Sequence, residues 1–81
     1  MTDRQKYETY RQMFDRAEKL TIEIKEHLIH VYSRIWGVFV SVGDEEKGLY
    51  FVDVEVSGSN SGSYKRFRGM LTEEEILKKF C

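Results

Sequence analysis

The chain has 81 residues, 13 basic and 14 acidic side chains, a net charge of −1, 41% hydrophobic and 14% aromatic residues. That length allows one small domain, whose core supplies only about a few kcal/mol of net stability. Balanced charge argues against a polyanion mimic and a strongly basic nucleic-acid binder. A single cysteine, Cys81, excludes a disulfide within the chain.

No stretch approaches the run of about 18 apolar residues that a membrane span needs. The first residues, MTDRQKYETYRQ, lack the apolar segment of a signal peptide. The expectation is a soluble, cytoplasmic, single α+β domain over residues 1–81.

Neither glycine nor proline occurs before Gly37. Tyr7, Tyr10, Phe14, Ala17, Thr21, Ile24, Leu28, Val31 and Ile35 recur at spacings of three and four. All but Thr21 are apolar or aromatic. This spacing predicts one long helix from about Asp3 to about Ser33, packed along its length against another helix. Its apolar face is narrow before Leu20 and widens after it, as for a helix whose C-terminal half lies on a sheet. A break near Leu20 is the competing reading, since Thr21-Ile22-Glu23-Ile24 alternates and is β-branched. The remaining chain is too short to cover the stripe. Tyr7, Tyr10, Phe14 and Ala17 are therefore the expected surface of a homo-oligomer.

From Trp36 the period becomes two. Trp36, Val38, Val40 and Val42 alternate with Gly37, Phe39 and Ser41. A polar loop, Gly43 to Gly48, leads to Tyr50, Val52, Val54 and Val56, which alternate with Phe51, Asp53 and Glu55. This is a β-hairpin pattern. Matching apolar faces pairs Val42 with Tyr50, Val40 with Val52, Val38 with Val54 and Trp36 with Val56. The Gly/Ser stretch Ser57 to Ser63 reads as a flexible loop. A third strand, Tyr64 to Arg68, ends at Gly69; setting Phe67 against Val54 places Arg66 beside Glu55 and Arg68 beside Asp53. Thr72 and Glu75 form a capping box for a short helix with Ile76, Leu77 and Phe80 inward.

The element order helix, three strands, helix resembles that of double-stranded-RNA-binding domains. The C-terminal helix here opens with Glu73-Glu74-Glu75, where that family places phosphate-contacting lysines, so its function is not carried over.

Strand alternation leaves Phe39 and Phe51 on the face that folding alone would make polar. With Arg66 and Arg68 at the rim, they are the expected partner-binding surface, because aromatic anchors and arginine dominate interface energetics. The alternative site is the Gly/Ser loop with its basic neighbour: Ser59, Asn60, Ser61, Tyr64, Lys65 and Arg66 could hold a nucleotide or single-stranded nucleic acid. The loop lacks the terminal Lys-Ser/Thr of a P-loop.

His27 and His30, with Glu23, do not match a metal-ligand motif, and two solvent-side histidines are expected. Cys81 has no base oriented toward it by any sequence feature. No catalytic residue, metal or cofactor is expected. The functional expectation is a non-enzymatic regulatory protein, an inhibitor or adaptor such as phages and mobile elements encode, docking as a homo-oligomer on a macromolecular partner.

Overall fold

The computed structural model describes residues 2–58 and 63–81. It has a long helix α1 (Asp3–Leu28), strands β1 (Arg34–Asp44), β2 (Leu49–Ser57) and β3 (Lys65–Thr72), and a short helix α2 (Glu73–Phe80). The strands form an antiparallel sheet in the order β1-β2-β3. One face of the sheet carries both helices. The expected α+β architecture is therefore present.

Helix α1 begins at a capping box: the Thr2 hydroxyl accepts from the Gln5 amide, and the Gln5 side chain accepts from the Thr2 amide. It runs unbroken through Thr21, whose hydroxyl donates to the Ala17 carbonyl at 2.9 Å. That local bond satisfies the one polar residue in the stripe and removes the case for a break. The helix ends at Leu28, five residues before the expected boundary, and turns through Ile29 to Tyr32 with hydrogen bonds back to Leu28. A chain reversal onto β1 needs those residues.

The buried face of α1 is Met13, Ala17, Leu20, Ile24 and Leu28. It meets Val38, Tyr50, Val52, Val54, Val56 and Ile76. Ala17, Ile24 and Leu28 belong to the predicted stripe, but the other two core residues each lie one position, about 100° around the helix, from their predicted counterparts. Met13 and Leu20 take the core positions instead of Phe14 and Thr21.

The hairpin register is as the apolar pattern demands at Val42↔Tyr50, Val40↔Val52 and Val38↔Val54. The expected Trp36–Val56 pair is not formed. Ile35 pairs with Val56 and Gly37 with Glu55, so Trp36 is an extra residue in a bulge. The bulge turns Ile35 inward against the core and leaves Trp36 exposed, its Nε1–H donating to the Ser57 hydroxyl at 3.1 Å. A second irregularity lets Gly43 stand extra between Val42 and Asp44. Asp44 Oδ1 accepts from the Glu46 and Lys47 amides, and Gly48 supplies φ +67° to close the turn.

Strand β3 does not stop at Gly69. It continues to Thr72, pairing Gly69 with Val52 and Leu71 with Tyr50. Gly69 lies beneath the Phe67 ring, where a Cβ would come within 3.2 Å of Cζ. Glycine here makes room for a ring rather than ending a strand. Thr72 then caps α2 in a second capping box with Glu75.

Candidate interaction surface

The outer face of the sheet has no helix over it. Its three rows follow from the register: Gly37–Glu55–Arg66, Phe39–Asp53–Arg68 and Ser41–Phe51–Met70. The sequence-derived partner residues Phe39, Phe51, Arg66 and Arg68 therefore share one face. Phe39 is 66% exposed. Its ring leans along β1 over Gly37, where a Cβ would approach Phe39 Cε2 to 2.9 Å. Phe51 is half-buried between its neighbours.

One charged pair forms on this face, and it forms diagonally rather than straight across. Arg66 reaches Asp53 at 3.3 Å instead of Glu55, and Asp53 is only 19% exposed in its side chain. Glu55 accepts the Tyr64 hydroxyl. Arg68 lies over the Phe51 ring at 5.6 Å. Diagonal neighbours are within reach of long side chains on a pleated surface, and a guanidinium gains from an aromatic face beneath it. The hydrogen bond to Glu55 raises the Tyr64 pKa above its ordinary value, and the bond to Asp53 raises that of Arg66. Arg66 is thus matched by Asp53, while Glu55 and Arg68 keep their charge beside the Phe39 and Phe51 rings.

The expected nucleotide-binding set divides between faces. Ser59, Asn60 and Ser61 lie outside the described residues. Tyr64 and Arg66 belong to the outer face and are paired with Glu55 and Asp53. Lys65, opposite Val56, stands on the helix-bearing face. There it borders an open cavity of about 520 Å³ with Leu28, Val56, Phe67, Lys79 and Phe80 around it. The cavity exists because α2, eight residues and about 12 Å long, covers less than half of the sheet beside β3. Lys79 lies over Phe67 at 4.8 Å, and Phe67 meets Phe80 edge-on at 5.9 Å. The sequence signal for this pocket is the Lys78-Lys79-Phe80 end of α2, of which only Phe80 was expected to face inward.

The expected oligomer residues fall in two environments. Tyr7, Tyr10 and Phe14 are 63%, 45% and 45% exposed, with Tyr10 and Phe14 stacked at 6.5 Å between ring centroids. Ala17 is buried in the chain's own core at 2% exposure. The structure thus places an exposed aromatic strip beside, not on, the face that packs the sheet.

His27 and His30 are both exposed. Among the described residues no three His, Cys, Asp or Glu side chains gather where a metal could bind. Partial burial, and after it the Glu23 charge, push the Cys81 thiol above its ordinary pKa, which disfavours a thiolate. Among the described residues no helix is long and apolar enough to cross a membrane.

No family model matches this chain. Neither the curated proteins nor the solved structures contain a significant match.

Proposed function

We propose that this chain is a non-catalytic binding protein, a small inhibitor or adaptor of the phage or mobile-element kind, acting in the cytoplasm as a homo-oligomer. Its partner is a macromolecule that docks on the outer sheet face. The observation that carries this reading is the pair Phe39 and Phe51 on a sheet face with no helix over it, with Arg68 stacked on Phe51 and Arg66 paired with Asp53. A docking partner gains the aromatic area, and Arg68 and Glu55 remain to meet complementary groups of its own.

The test is site-specific photo-crosslinking. A benzophenone side chain replaces Phe39 in one variant and Ile22, exposed on α1, in the other. The expected outcome is an adduct with a protein other than this chain, from position 39 alone, lost on Phe51→Ser. Equal labelling from both positions overturns the assignment.

A second reading has its own support. Lys65 and Lys79 stand at an open cavity lined by the rings of Phe67 and Phe80. Cations over aromatic platforms suit a nucleotide or a single strand of nucleic acid. Binding that weakens steeply with salt marks this alternative, and binding that tolerates salt marks the aromatic sheet face.

A further inference from the structure

The two edges of the sheet differ. Strand β3 carries Lys65, Arg66 and Arg68, charges of the kind that keep a sheet edge from accepting another strand. Strand β1 carries Arg34 and Asp44 at its ends and no charge or proline in the nine residues from Ile35 to Gly43. Its second edge has no strand beside it. Its two bulges lie near the ends, and the uninterrupted run from Gly37 to Val42 between them has no charge to keep it from accepting a strand.

The same strand is complementary to itself. The two bulged residues, Trp36 and Gly43, sit near either end. With them set aside, the ladder residues are Arg34, Ile35, the run Gly37 to Val42, and Asp44. That ladder is symmetric about Phe39. An antiparallel copy sets Phe39 against Phe39, Val38 against Val40, Gly37 against Ser41 and Ile35 against Val42. Every pair then joins residues of the same face, as an antiparallel ladder requires. Arg34 meets Asp44 of the second copy at both ends, and the extra Trp36 falls beside the extra Gly43, a bulky residue beside one with no side chain.

The helix adds to the same flank. Tyr10 borders a hollow with the Val42–Glu46 end of the hairpin, while Leu28 lies near Val54 and Val56, so α1 runs antiparallel to β1. Arg16 faces α2, where it pairs with Glu73. Phe14, two residues away and about 200° around the helix, faces the opposite side, over the free edge. Tyr7 and Tyr10 share that side. Strand and helix together present a flank about 37 Å long and 19 Å deep. The facing area is thus at most about 700 Å² per copy, against about 800 Å² per partner for a typical stable interface.

We propose that β1 pairs antiparallel with β1 of a second copy about a two-fold axis through Phe39, joining two three-stranded sheets into one of six. The exposed Phe14 then lies toward the C-terminal end of the other copy's α1, and Tyr10 toward the turn that follows it. The inference goes beyond partner docking and stands without it, because it needs only the purified chain. It also sets the two Phe39 rings side by side, so the outer aromatic face becomes continuous across the pair.

The experiment measures mass by light scattering at about 50 μM, where an interface of this size holds, and then tests register by oxidation. The expected mass is twice 9.6 kDa. In a Cys81→Ser background, Phe39→Cys is expected to form a disulfide-linked pair, since residues facing each other in such a ladder are about 5 Å apart at Cα. Ile22→Cys, on the far side of α1, is expected to stay reduced. Arg34→Glu sets like charges opposite at both ends and is expected to weaken the dimer about tenfold; Arg34 is exposed, so the monomer fold survives. A monomeric mass overturns the inference and leaves the edge for a strand of another protein. A dimer in which Phe39→Cys does not crosslink overturns it as well, since another surface then joins the copies. Neither result bears on photo-crosslinking from position 39 to a partner.

Discussion

Tyr50 shows how one side chain couples the core to the surface. It is a buried residue of β2 beside the Arg16–Glu73 ion pair that ties α1 to the start of α2. Burial first, and the Glu73 carboxylate second, raise the phenol above its ordinary pKa of 10.0, with Arg16 opposing. The raised pKa means that the unfolded chain releases this proton before the folded one does. Stability from this group is whole below about pH 10 and is lost as pH rises through and above that value. Tyr50→Phe is therefore expected to unfold less steeply with alkali than the unmodified chain between about pH 9.5 and 11. Denaturant melts at stepped pH measure this; parallel slopes for the two proteins refute the coupling. The outer phenylalanines make the complementary case. In the unpaired chain, at low concentration, Phe39→Ser is expected to change stability by less than about 1 kcal/mol because most of the ring is in water, and Phe51→Ser by about 1–2 kcal/mol because most of its surface is covered. The same melts measure both.

At the scale of elements, the two helices owe their existence to different things. Helix α1 has a long apolar face and a sheet to lay it on. Helix α2 has eight residues, too few to be stable alone. It holds because Ile76 is fully buried, because Thr72 and Glu75 satisfy two amides at its start, and because Glu73, Glu74 and Glu75 suit the positive end of its dipole. Thr72→Ala is expected to cost about 1 kcal/mol and to raise amide exchange across α2 more than across the centre of β2. Uniform loss of protection along the chain contradicts this. The α2 box and the alternation of β1 and β2 were legible because each is a local pattern with one structural meaning. The phase of α1 was not. Tyr7, Tyr10 and Phe14 continue the heptad spacing, but the sheet selects the stripe through Met13, Ala17 and Leu20, which is a tertiary choice. The bulge at Trp36 was hidden too, since Trp36 and Val38 alternate as though both faced the core. Gly69 read as a stop because its role, room for the Phe67 ring, depends on a neighbour's rotamer. The outer-face set Phe39, Phe51, Arg66 and Arg68 followed from strand parity alone, whereas the pairing of Arg66 with Asp53 depends on side-chain reach.

For the whole molecule, the decisive quantity is how much apolar surface one chain can cover. The described residues extend over 51 × 19 × 19 Å, a slender shape with a high surface for its volume. Eleven hydrophobic residues form the buried core, yet Tyr7, Tyr10, Phe14, Trp36 and Phe39 remain exposed along the β1 flank and the outer face. A lone core of this size leaves little margin, so the pairing proposed above, by covering the flank, would contribute directly to folding stability. Unfolding then depends on concentration, because the paired state contains two chains and the unfolded state one. With an unfolding enthalpy of about 0.7 kcal/mol per residue and folding coupled to pairing in one transition, the midpoint is expected to rise by about 4 °C for each tenfold increase in concentration. Arg34→Glu, which opposes like charges at both ends of the ladder, lowers the midpoint most where the chain is dilute, because pairing is lost there first. Calorimetry from about 5 to 500 μM separates the cases. A midpoint that does not move across that range assigns the stability to the single chain and removes the β1 flank from the folding unit.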